Sequence, residues 1–141
     1  MGNHLSLNKI NFEDVQYVIK NKQNYLLIST LPPSLQSCLI EDTISLEKEE
    51  ALINDLIQQK KTNKPIIIYG KNANDETIYN KYDQLVKFGF SNVFLYCGGM
   101  FEWLMLQDIY GDDIFLTNKK ELDLLKYKPS QLFNKLYITN N

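Results

Sequence analysis

At 141 residues, 44% hydrophobic and 23% charged, the chain has the size and composition of one soluble globular domain, and no apolar run approaches the ~18 residues that suggest a membrane span. Its net charge is -2 and its basic residues never cluster in fours, which excludes the electrostatic footprint of a nucleic-acid binder. All 15 basic residues are lysine, so no step can rest on a bidentate guanidinium, and the lone histidine, His4, leaves no room for histidine relays or multi-histidine metal sites.

The opening "MGNHLS" places Gly2 behind the initiator Met and Ser6 four residues on, the spacing of an N-myristoylation signal and equally that of a plain leader. One acyl chain gives only reversible membrane binding, and with Lys9 as the sole local positive charge no second anchor is at hand. Residues 1–10 are therefore read as a flexible leader with a reversible membrane contact through Gly2 as its possible use.

From Asn11, "NFEDVQYVIK" has a capping Asn, acids in the first turn and Val15, Val18 and Ile19 on one face, which predicts an amphipathic helix. A buried strand, Tyr25 to Ser29, stops at Pro32-Pro33. A second short strand is expected around Asp42 to Ser45, then a helix from Leu46 to Lys60 with Ala51, Leu52, Leu56 and the adjacent isoleucines inward. "KPIIIYG" lacks alternation and predicts a strand covered on both faces. A helix from Asp75 to Phe88, capped by Asn74 and closed by Gly89, should follow. Next come a strand from Asn92 to Tyr96, a break at Gly98-Gly99, and a helix, "MFEWLMLQDIY", with Phe101, Leu104 and Met105 inward. The tail offers a further helix at "TNKKELDLLKY", and Tyr127, Phe133 and Tyr137 to dock on the domain or on a partner. Strands alternating with helices imply one α/β domain with a mostly parallel central sheet and helices on both faces.

The two cysteines, Cys38 and Cys97, are too far apart in sequence for a metal knuckle and too few for a disulfide framework, which points to a reducing, cytoplasmic setting. Cys38 reads as a small apolar filler. Cys97 lies at the carboxyl end of a strand, the edge where open α/β sheets place ligands. It is either a displaced nucleophile or an ordinary half-buried cysteine. The second reading is favoured, since only a lysine such as Lys71 could activate it. The loop "GKNANDE", Gly70 through Lys71, Asn72, Ala73, Asn74 and Asp75 to Glu76, joins strand to helix where many α/β proteins present a reactive group. Its Lys71, Asn72 and Asn74 could hold a small anion or form a solvated cap.

The stretch "GFSNVFLYCGGMFEW" resembles a signature of the rhodanese-like family, G-F-x-N-V-x-x-L-x-G-G-x-x-x-W, at Gly89, Phe90, Asn92, Val93, Gly98, Gly99 and Trp103. The resemblance covers Asn11 to Gly111, a three-layer rhodanese-like domain, and leaves residues 112–141 as a helical extension packed on it. It implies that Trp103 covers the sheet end. Active relatives are sulfurtransferases that carry a persulfide on a cysteine directly after the strand, cradled by loop N–H groups and commonly an arginine. In this chain Gly70 stands at the cysteine position and Asp75 near the arginine. The family's Asp-x-Arg is answered by Ser29-Thr30-Leu31, and its histidine before Ile-Pro-Gly-Ala-Ile by Leu39. A persulfide needs a thiolate at a helix N-terminus, where dipole and free N–H groups lower its pKa. Asp75 and Glu76 at that terminus repel an incoming anion. The expectation is a catalytically inactive domain that binds a protein partner, with no catalytic residue, no metal, no cofactor and no nucleic acid. The alternative is a diverged sulfurtransferase in which Cys97 accepts the sulfur.

Overall fold

A computed structural model describes residues 7–133; Gly2, His4, Ser6 and Tyr137 lie outside them. Four short strands, β1 (Lys9–Ile10), β2 (Leu26–Ser29), β3 (Ile66–Tyr69) and β4 (Val93–Tyr96), form one sheet in the order β1-β4-β3-β2. All three pairings are parallel. Four helices flank it: α1 (Phe12–Lys20), α2 (Leu46–Gln58), α3 (Thr77–Lys87) and α4 (Gly99–Tyr110).

The strands alternate between two apolar layers even though their sequences do not alternate in polarity. Leu26, Ile28, Ile66, Ile68, Val93 and Leu95 pack under α2 and α3 with Ile53, Ile78 and Leu85. Leu27, Ile67, Tyr69 and Tyr96 pack on the other face with Val15 and Val18 of α1 and Met100, Trp103 and Leu104 of α4. Successive side chains of a strand point to opposite faces, so a strand covered on both sides must be apolar throughout. The predicted three-layer α/β architecture is the one observed.

Several local expectations are corrected. Lys9 and Ile10, placed by sequence in the leader, pair with Leu95 and Tyr96 as the edge strand. The strand expected at Asp42 to Ser45 shrinks to a single bridge between Thr43 and Leu27, because Asp42 adopts a left-handed φ of 68° that breaks the extended path. In α2 it is Ile53 that is buried, while Ala51 faces solvent. In α4 the buried set is Met100, Trp103, Leu104 and Gln107; Phe101 is half-buried and Met105 exposed. Trp103 is fully buried between Tyr96, the last residue of β4, and Phe115, and its Nε1 donates to the Leu116 carbonyl at 3.0 Å. Where a helix is expected over residues 117–127, the structure forms a short 3-10 turn, Leu124–Tyr127. Residues 116–119 spend their backbone on the segment 38–41 instead, through Asn118 N–H to the Leu39 carbonyl and Glu41 N–H to that of Leu116.

Candidate functional site

Strand β3 ends at Tyr69, and Gly70 begins the loop to α3. Tyr69 is fully buried; its hydroxyl accepts from the Ile40 N–H at 3.1 Å and shares a 2.8 Å hydrogen bond with Thr43 Oγ1. These bonds fix the strand end against the 40–43 segment. Burial pushes the Tyr69 hydroxyl well above the ordinary tyrosine range.

Asp75 organises the loop. Its carboxylate accepts from Lys71 N–H at 2.8 Å, Thr77 N–H at 3.0 Å and Thr77 Oγ1 at 2.6 Å. This displaces the helix start: α3 begins at Thr77 rather than Asp75, and Glu76, at the cap position, makes no side-chain cap bond. Asn74, expected to cap α3, instead donates its N–H to Asn72 Oδ1 at 2.9 Å.

The carboxylate also fills the space a side chain at position 70 would need. A Cβ added to Gly70 would lie 2.5 Å from Asp75 Oδ2 and 2.9 Å from Thr30 Oγ1. Asn72 is buried, and its Nδ2 donates to the Tyr127 carbonyl at 2.8 Å, which holds the tail against the loop. On the other side, α4 receives the loop: Met100 N–H donates to the Gly70 carbonyl and Phe101 N–H to that of Lys71, each at 2.9 Å. Gly99 permits this approach. Its φ is +67°, and a Cβ there would stand 2.7 Å from the Gly70 carbonyl oxygen.

The resulting open cleft, of about 650 Å³, is lined by Thr30, Pro32, Lys71, Asp75, Thr77 and Lys128 among others. Lys71 is half-buried, whereas Ala73, Asn74 and Glu76 are exposed. Sequence reasoning missed Thr77, Lys128 and Ser130, and met Thr30 only as part of a departure from the family's early motif. For Thr77 a signal existed, since an Asp two residues ahead of a Thr is a common local side-chain-to-backbone pattern. For the tail residues no periodicity announces that they cross the sheet edge.

The two cysteines part company. Cys38 is buried, and its Sγ donates to the Lys119 carbonyl at 3.2 Å; burial pushes its thiol up. Cys97 follows Tyr96, the register partner of Tyr69, so it lies one strand across from Gly70. Its half-buried side chain packs in the α2/α3 layer and does not line the cleft. The Tyr79 hydroxyl, raised first by burial and then by Cys97, is its polar neighbour. Across the sheet end, the Tyr96 hydroxyl donates to Glu102 at 2.5 Å. Among the described residues no group of three His, Cys, Asp or Glu side chains could hold a metal ion, and no helix is long and apolar enough to cross a membrane.

The profile of the Rhodanese-like domain family matches residues 14–106. No curated protein matches the chain. The BH2092 protein of Bacillus halodurans has a similar structure, with a TM-score of 0.58 at 17% identity, over 96% of this chain and 91% of that one. The rhodanese-like domain of the Anabaena sp. Alr3790 protein gives 0.56 at 16% identity, over 89% and 86%. A single-domain sulfurtransferase of Saccharomyces cerevisiae gives 0.55 at 16% identity, over 77% and 95%. Likeness at these identities speaks for the fold, and the family match extends from α1 through most of α4. By that match and the parallel sheet it spans, the chain belongs to the rhodanese-like domain family.

Proposed function

We propose that this is a non-catalytic rhodanese-like domain that serves as a binding or scaffolding module for a protein partner. The observation that carries the reading is the occupancy of the loop. Gly70 supplies no thiol at the first position after β3, and the Asp75 carboxylate accepts the hydrogen bonds of Lys71 and Thr77 that a loop of this kind would offer to an incoming anion. A fixed negative charge bonded in that position disfavours thiosulfate, a persulfide or a phosphate by like-charge repulsion. Intact mass spectrometry after incubation with thiosulfate tests this: the mass should be unchanged, and a gain of one sulfur atom would overturn the reading.

A second reading has one observation in its favour, the position of Cys97 one strand across from Gly70. In that case the Cys97 thiolate would attack the sulfane sulfur of thiosulfate, and the breaking S–S bond would leave its electron pair with sulfite. A sulfur adduct lost in Cys97→Ser would identify this route. Reversible membrane contact through an acylated Gly2 is part of the proposal. Co-expression with an N-myristoyltransferase should add one myristoyl mass to native chain and none to Gly2→Ala; an unmodified native chain would remove the membrane contact.

A further inference from the structure

We infer that the outer face of α4 is a two-fold interface between two copies of this chain. A helix that packs one side on a core turns charged and polar residues outward, and one that is apolar all round is covered all round. The exposed positions of α2 follow the rule with Glu47, Lys48, Glu50, Asn54 and Asp55, and those of α3 with Asn80, Asp83, Gln84 and Lys87. Helix α4 departs from it. Met100, Trp103, Leu104 and Gln107 face the core, yet the exposed positions are Met105, Asp108, Ile109 and Tyr110.

Neighbouring segments extend this face. Ile114 follows α4 and is held beside α1 by Gln16, whose Nε2 donates to the Ile114 carbonyl at 2.8 Å. The 3-10 turn Leu124–Tyr127 packs against α4 with Leu124 and Tyr127 turned to the core, which leaves Leu125 outward. Met105, Ile109, Tyr110, Ile114 and Leu125 are 42%, 66%, 62%, 49% and 63% exposed. At about 200 Å² for a fully exposed large side chain, these fractions amount to about 550 Å² of apolar surface. A standard interface takes about 800 Å² from each partner, and homodimer interfaces are about 65% apolar, a requirement of about 520 Å².

Charge selects a second copy as the occupant. Lysines close to the face are paired within the chain, Lys120 with Asp112 at 3.6 Å and Lys126 with Glu121 at 2.6 Å, so no block of one sign recruits an oppositely charged protein. Met105 and Ile109 are one turn apart on the same ridge. A two-fold axis between them crosses the helices antiparallel and lays Met105 of one copy on Ile109 of the other. The same crossing sets the acidic turn at Asp112 and Asp113 near the amino end of the second copy's α4, where the helix dipole is positive. The inference stands apart from the reading of the loop, and its test does not bear on sulfur transfer.

Sedimentation equilibrium of the full chain supplies that test. The mass should rise with concentration from 16.5 kDa toward twice that value, with a Kd on the order of 1–10 μM, the weak end of the range for interfaces of this size. Met105→Lys and Ile109→Lys should each weaken association about tenfold or more, since each sets two ammonium groups in the apolar centre. Val86→Lys, at a position on α3 that is 45% exposed, should leave association unchanged. All three positions are exposed, so unaltered urea midpoints in dilute solution separate lost association from lost fold. A chain that stays monomeric well above that Kd, a mass that grows past the dimer, or a dimer untouched by either lysine on α4 would each overturn the proposal.

Discussion

Asp75 performs two tasks with one carboxylate: it ties the loop to α3 and it excludes a side chain from position 70. Removing it in Asp75→Ala takes away three hydrogen bonds to a half-buried charged acceptor and should lower the unfolding free energy by about 1–2 kcal/mol. A side chain at that position, as in Gly70→Cys, forces a Cβ against that carboxylate and should cost about 1–3 kcal/mol. Denaturant unfolding of both single variants and the double variant checks this, and the double should lose less than the sum, because removing the carboxylate relieves the overlap. The sequence placed Gly70 and Asp75 together in the loop between strand and helix, and the structure has them there. The sequence could not show where the carboxylate turns, since an acid at a helix start predicts a dipole partner and says nothing of a neighbour four residues back. The same limit applies to Asn72, whose amide finds the Tyr127 carbonyl across 55 residues.

Helix α2 ends without a glycine. Lys60, just beyond it, takes a left-handed φ of 58°, with its N–H donating to the Ile57 carbonyl and that of Lys61 to Leu56. A side chain in that region is strained, so Lys60→Gly should raise stability by about 0.5–1 kcal/mol, measured as a shift of the urea midpoint at constant slope. The elements readable in sequence were those with a strong local cause. Strands β2, β3 and β4 are continuous apolar runs, and α1 has a capping box in which Asn11 and Asp14 exchange hydrogen bonds. The elements misread depend on distant pairing. The two residues of β1 acquire their structure only from β4, and the expected tail helix yields to an antiparallel contact with Ile40.

Among the described residues the two apolar layers are joined by a four-stranded parallel sheet, and three buried tyrosines, Tyr69, Tyr96 and Tyr127, sit in the α1/α4 layer. Burial raises all three hydroxyls; Tyr127 is pushed up to about 12, and Tyr96 is raised further by its bond to Glu102. In an unfolded chain they ionise near 10. The fold thus holds the neutral form. Its contribution is complete below pH 10 and is lost as pH rises through the raised values. Urea midpoints should stay level from pH 7 to 9 and fall above 10, each tyrosine adding up to about 1.4 kcal/mol per pH unit, and Tyr127→Phe should make the decline shallower. The direction of β1 has a different consequence. Because β1 runs parallel to β4, the leader enters at the amino edge of the sheet, with the Asn8 carbonyl bonded to Leu95 N–H, while the cleft opens at the carboxyl edge. Residues 7–10 therefore reach the sheet from the side opposite the loop, and the path by which the chain enters leaves the mouth of the cleft clear.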